Sequence, residues 1–141
     1  MGYTNYWTRP SELTAAEFSA ASKDCAEILP KLGVEIDADF DDDDVVIFDS
    51  PGCETFAMSR VAVDPYSRSG PIRGFCKTGR AAGDLCVKVA LLLMGYHLGN
   101  QLSFRSDGDC DEDWAAAREI VTNLGYRHEI VGVTAAGGSD G

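Results

Sequence analysis

Residues 85–94 read LCVKVALLLM, and Lys88 is the one residue among them that is not apolar. Wound into a helix, Leu85, Cys86, Val87, Val89, Leu91, Leu92, Leu93 and Met94 cover nearly the whole circumference. A helix that is apolar all round has no face to offer water and must be enclosed by the rest of the fold. The pattern predicts a helix over residues 81–97, stopped by Gly99-Asn100. The run is too short to cross a bilayer and Lys88 interrupts it, so protein has to cover it. A chain of 141 residues is long enough to do so as one domain with an ordinary core.

The flanking segments supply candidate cover. Residues 3–9 (YTNYWTR) alternate aromatic and polar and suit an edge strand, ended by Pro10. Thr14 and Glu17 form a capping box, and Leu13 and Phe18 occupy the positions of a hydrophobic staple around it. Phe18, Ala21, Cys25, Ile28 and Leu32 then recur at helical spacing, and Pro30 breaks or kinks the end. Residues 35–44 (EIDADFDDDD) read as a solvated acidic loop that guards the buried strand 45–48 from pairing with other chains. Asp49-Ser50-Pro51-Gly52 is turn chemistry, with residues 54–59 (ETFAMS) as the hairpin partner. Gly70, Pro71 and Gly74 mark residues 60–80 as loop. Residues 101–105 alternate as a strand with Leu102 and Phe104 on one side. Asp109 and Glu112 form a second capping box, and Trp114, Ala117, Val121 and Leu124 make the buried face of a third helix capped by Gly125. Residues 128–133 suit a last strand, and 135–141 (AAGGSDG) a disordered tail. The expectation is one α+β domain over residues 1–134. It has a mostly antiparallel sheet of four to five strands, about three helices, and helix 81–97 buried at the centre.

Charge narrows the function. The net charge of -11 and pI near 4.4 disfavour nucleic-acid phosphates and anionic membranes, so neither direct nucleic-acid binding nor membrane attachment is expected. The acidic run could instead imitate DNA. It is a poor metal site, because consecutive aspartates lack the alternating ligands of a calcium loop. Five cysteines, odd in number and without a CxxC pair, fit reduced thiols, and MGYTNYWTRP lacks the pattern of a signal peptide. A cytoplasmic location is expected. Against this background, residues 60–80 hold Arg60, Arg68, Arg73, Lys77 and Arg80, five of the twelve basic residues, and a single acid, Asp64. Either this stretch pairs with the acidic block or it receives an anion.

The leading anion site is Lys77-Thr78-Gly79-Arg80 before the central helix. A helix N-terminus offers free N–H groups, Gly79 and Gly83 allow close backbone approach, and Arg80 brings a planar fork. GxxxxGK[ST] is absent, and an internal ion network through Asp84 or Asp107 explains the same residues equally well. Ser106-Asp107-Gly108 forms a second polar corner, readable as a sugar-binding turn or simply as a turn and cap. Asp107, Asp109 and Asp111 open like an EF-hand, but Glu112 and Arg118 stand where its glycine and bidentate glutamate belong. Cys76 beside Lys77 could be a nucleophile, the cysteines and histidines a zinc site, and Glu54 an acid–base group, but no spacing selects any of them. His97 suits the C-terminal end of its helix. The ligand-binding set is therefore Lys77, Thr78 and Arg80 for phosphate, and Arg60, Arg73 and Arg105 in support. Ser106, Asp107 and Phe75 or Tyr66 would meet sugar and base. No cofactor, metal or catalytic residue is assigned.

The stretch Phe75-Cys76-Lys77-Thr78-Gly79-Arg80 with Asp84, the Ser106-Asp107-Gly108 turn, Trp114, and Glu54-Thr55-Phe56 resemble small accessory proteins of tailed bacteriophages and prophages. The similarity covers roughly residues 45–125. It departs from the pattern at Ala81, Ala82 and Gly83, where a basic residue, proline and tyrosine stand in the family, and at Cys53, where a histidine does. The resemblance implies a phage accessory protein without an assigned activity. By analogy of architecture, it suggests an anti-defence sponge that sequesters a phosphate-bearing, nucleotide-derived host immune signal, of cyclic ADP-ribose or cyclic dinucleotide type, in the infected cell's cytoplasm. A homo-oligomer is compatible with such a pocket. The alternatives are a hydrolase or phosphodiesterase acting on that nucleotide, and an acidic DNA mimic that inhibits a host nuclease.

Overall fold

The computed structural model describes residues 3–48, 53–62, 71–79, 81–107 and 110–125, the side chains of Cys110 and Asp111 excepted. The turn at 49–52, Tyr66, Arg68, Arg80, Gly108, Asp109, the strand expected at 128–133 and the tail at 135–141 lie outside the described residues. The order is β1 (Thr4–Arg9), α1 (Ala15–Ile28), β2 (Ala38–Phe40), β3 (Asp44–Ile47), β4 (Phe56–Ser59), β5 (Ile72–Lys77), α2 (Gly83–Leu98), β6 (Ser103–Ser106) and α3 (Cys110–Asn123). The class is α+β, as expected. Among the described residues the strands divide between two antiparallel three-stranded sheets instead of forming one, in the orders β5-β1-β6 and β2-β3-β4.

The apolar helix is where its composition demands. α2 is buried from Cys86 to Gly95, with Leu85 half-buried and Tyr96 exposed near its ends, and packs against α1 and α3. Trp7, Cys76 and Phe104 from the first sheet and Val45, Ile47, Phe56 and Met58 from the second join it in one core. Rings tie the layers together: Trp7 meets Phe56 edge-on with centroids 5.0 Å apart, and Phe104 stacks on Trp114 at 5.3 Å. Among the described residues no helix is long and apolar enough to cross a membrane.

Leu13 and Phe18, the staple pair, are both fully buried, and Thr14 is the N-cap of α1. The capping box is not made: the Thr14 side chain bonds no backbone N–H of the helix. Glu17 takes a hydrogen bond from the Thr14 side chain, which holds its carboxyl below the usual range. The Thr14 backbone N–H, which the box would give to Glu17, donates instead to Gln101 Oε1 at 3.0 Å. Pro30 sits in a 3-10 turn, Leu29–Leu32, where α1 stops. Leu124 falls beyond the end of α3 and is 52 % exposed, so the buried face is Trp114, Ala117 and Val121.

Three segments differ from expectation because tertiary pairing overrides local composition. The acidic segment is not all loop. Ala38–Phe40 is a strand, and Asp41 closes the hairpin to β3 by accepting from the backbone N–H groups of Asp43 at 2.9 Å and Asp44 at 2.8 Å. β1 is the centre of its sheet, not an edge. The missing neighbour is β5, within the stretch that its glycines and proline mark as loop. Gly74 faces Trp7 across the ladder, and a Cβ built on it would lie 2.3 Å from Trp7 Nε1. The glycine is therefore a strand residue under an indole ring, where no side chain fits.

Where β1 ends, Arg9 joins the two sheets. Only 3 % exposed, it donates to the carbonyls of Pro10, Ser11, Ser59 and Arg60. Beside it, Leu13 N–H bonds Arg60 O at 2.9 Å and Ala62 N–H bonds Ser11 O at 2.8 Å.

Gly74→Ala should therefore destabilise the protein by at least about 1–3 kcal/mol, the usual cost of forcing atoms into a packed core. Urea unfolding would read this as a lowered midpoint at unchanged m-value.

Candidate functional site

β1 has two faces, and the polar residues around it separate by side-chain parity. Inward point Tyr3, Asn5, Trp7 and Arg9, all buried; outward point Tyr6 and Thr8, half-buried. The same alternation puts Arg73, Phe75 and Lys77 of β5 on the exposed face and Cys76 inside. In β6, Ser103 and Arg105 face out, while Phe104 and Ser106 face in.

The inner side holds a closed hydrogen-bond network. As the chain leaves β5, the N–H groups of Thr78 and Gly79 both bond Tyr3 O, at 3.0 and 3.2 Å, and Gly79 turns at φ +58°. This directs Thr78 inward, where it is fully buried and its hydroxyl donates to Asp84 Oδ1 at 2.6 Å. Asn5 Nδ2 donates to the same oxygen at 2.9 Å. The other carboxylate oxygen pairs with Lys88, one turn along α2, whose ammonium lies 4.3 Å from the Tyr3 ring centroid and 5.3 Å from that of Trp114. Asn5 Oδ1 accepts the Ser106 hydroxyl, and Ser106 Oγ accepts from Trp114 Nε1 at 3.1 Å. Thr78 and Ser106, one from each expected polar corner, are thus linked through Asn5 and Asp84. Their oxygens are bonded within the protein, and the first turn of α2 has a carboxylate of its own in Asp84. Tyr3 closes the network by donating to Asp113 Oδ2 at 3.2 Å, and burial above all pushes its phenol well above the ordinary value.

The outer side presents rows of side chains set by strand register. Tyr6 lies between Phe75 and Arg105, and Thr8 between Arg73 and Ser103. Neighbours in a row are about 5 Å apart, so each row spans about 10 Å. Lys77 faces Thr4 in the next row, and Asp107 bonds both backbone groups of Thr4 from the other side. The Arg105 guanidinium lies 4.4 Å from the Tyr6 ring centroid, and Phe75 is 59 % exposed. Together they bound an open hollow of about 520 Å³ floored by the β-sheet. Arg73 and Lys77 make no ion pair among the described residues. Five of the nine expected ligand residues, Arg73, Phe75, Lys77, Arg105 and Asp107, therefore gather on or beside one face.

Arg60 does not join them. It lies at the far end of β4, about 20 Å from the Glu54 end that adjoins Lys77, and its guanidinium is bound to Glu12 and Asp43, each at 3.2 Å. Arg80 lies outside the described residues. Glu54 accepts from the Lys77 backbone N–H at 3.3 Å. Cys76 is buried with its thiol against Glu54 O at 3.4 Å, and burial pushes the Cys86 thiol up to about 11. His97 Nε2 meets Asp24 of α1 at 2.6 Å, binding the two helices together. Among the described residues no three His, Cys, Asp or Glu side chains are grouped to hold a metal.

Sequence reasoning missed Tyr6 and Thr8, although the YTNYWTR alternation puts them on one side of a strand. It also missed Lys88 as a partner of Asp84, although the pair has the i,i+4 spacing of a helical ion pair. No family model matches the chain, and neither a curated protein nor a solved structure shows significant similarity to it.

Lys88→Met should leave the Asp84 carboxylate without its cation, and Asp84→Asn should strand the ammonium. Each should cost about 3–5 kcal/mol in urea unfolding. The double variant should lose less than the sum by more than about 1 kcal/mol, because the two changes remove one interaction.

Proposed function

We propose that the protein is a binding module for a phosphate-bearing, nucleotide-derived small molecule, held on the outward face of the β5-β1-β6 sheet. The observation that carries this is the register that sets Phe75, Tyr6 and Arg105 in one row and Arg73 in the next. An exposed aromatic ring offers a stacking surface worth about 1–3 kcal/mol per base. Arginine forks suit phosphate oxygens, and Arg105, lying over Tyr6, keeps its N–H edge available while its face is occupied.

Net charge favours a small ligand over a polymer. Beyond a Debye length of about 8 Å, exposed charges are largely screened, so a small anion on this face feels mainly Arg73 and Arg105, with Lys77 flanked by the Glu54 and Asp107 carboxylates. A nucleic acid would extend past them over a molecule of charge -11. Thr78 and Ser106 contribute from beneath, by fixing β5 and β6 to Asn5 of β1 through the buried network. Holding the molecule unchanged is the role of a phage-encoded sponge for a nucleotide immune signal, and we extend the proposal to that role.

In titration calorimetry against AMP, ADP, ADP-ribose and cyclic dinucleotides, at least one should bind. Arg73→Ala, Arg105→Ala and Phe75→Ala should each weaken it tenfold or more with the fold intact by circular dichroism. Chromatography after denaturing the complex should return the ligand unaltered. A folded protein that binds none of the panel overturns the proposal; an altered ligand replaces the sponge by an enzyme.

A further inference from the structure

The hollow around Tyr6 does not end at the third row. Thr8 and Ser103 also line a second depression, of about 500 Å³, which continues past the end of β1 to Pro10, Ser11 and Asn100. The two differ in chemistry. The first carries Arg73, Arg105, Phe75 and Tyr6. The charged residue of the second, Arg9, is buried and its guanidinium is engaged by backbone carbonyls, and the Gln101 amide bonds Thr14 and Leu98. What the second hollow offers is neutral: the apolar rings of Pro10 and Pro71, and among them the hydroxyls of Thr8, Ser11 and Ser103 and the Asn100 amide, polar side chains without a hydrogen bond among the described residues.

Resting on the reading of the first hollow as a nucleotide site, we infer that the ligand has two parts joined by a diphosphate: a nucleoside at Tyr6 and Phe75, and an uncharged, hydroxyl-rich group in the second hollow. Register places the join. Arg73 shares its row with Thr8 and Ser103, the two residues common to both depressions, so the bridging phosphates meet that guanidinium where the hollows meet. From the Tyr6 row the strand runs about 10 Å to its end at Arg9, and Pro10 and the bend at Ser11 extend the reach to at most about 17 Å. That is longer than a nucleoside monophosphate, and it suits a nucleoside diphosphate esterified to a sugar. Neutral hydroxyl and amide groups discriminate by hydrogen bonding, and a ligand that leaves them unpaired forfeits affinity.

The test compares AMP, ADP and ADP-ribose by calorimetry on the full chain. ADP-ribose should bind at least tenfold more tightly than ADP, and that ratio should fall toward one in Asn100→Leu and in Ser11→Leu. ADP binding with no gain from the distal ribose overturns the two-part ligand while leaving the nucleotide site in place. A gain that persists undiminished in both variants overturns the assignment of the second hollow. If none of the three binds to folded protein, and cyclic dinucleotides also fail, the nucleotide site itself falls.

Discussion

The arrangement depends on a charge that the central helix carries into the core. Lys88 is 1 % exposed, and an ammonium removed from water persists only if a counter-charge and hydrogen-bonding groups go with it. Asp84 supplies the charge from one turn away, and the rings of Tyr3 and Trp114 lie against the ammonium. The remaining capacity of the Asp84 carboxylate recruits Thr78 from the end of β5 and Asn5 from β1, and Asn5 in turn holds Ser106 of β6. All three strands of the first sheet are thereby fixed to one helix by a polar cluster inside an apolar core. Hydrophobic packing alone would let neighbouring strands slide by a residue pair. A network in which each member needs its own partner allows one register.

That register decides what faces out. Because side chains alternate along a strand, fixing Asn5 inward fixes Tyr6 outward, and fixing Cys76 inward fixes Phe75 and Lys77 outward. The buried network and the exposed cationic–aromatic face are two consequences of the same ladder. The densest acidic run is placed elsewhere: residues 41–44 turn the β2-β3 hairpin, with Asp43 held to Arg60 and Asp44 to Ser59.

The helices were largely legible in the sequence because their signals are local. Apolar periodicity, the Leu13–Phe18 staple and the Gly99 stop are contained within a few turns of chain, and the structure reproduces them. The α+β class followed from the same reading. What the residues did not disclose was pairing at a distance. β5 reads as loop because Gly74, which looks like a breaker in isolation, is required by Trp7 some 67 positions earlier, and nothing near Gly74 says so. Lys77 and Arg73 were recognisable as exceptional by charge, but Thr78 and Ser106 look equally available until the strand parity is known. Their hydroxyls turn inward because the residues preceding them, Lys77 and Arg105, face solvent. Tyr6 was hidden by the assumption that the first strand lies at an edge.

The indole of Trp7 lies across Gly74, between the two β5 residues, Arg73 and Phe75, whose side chains rise on the opposite face. It is 7 % exposed, shielded from solvent yet separated from the outer surface by a single layer of backbone. Its surroundings are set by the spacing of β1 and β5. Any event on the outer face that spreads or tightens those two strands therefore changes the surroundings, and with them the emission, of an indole seated on the inner side of the sheet.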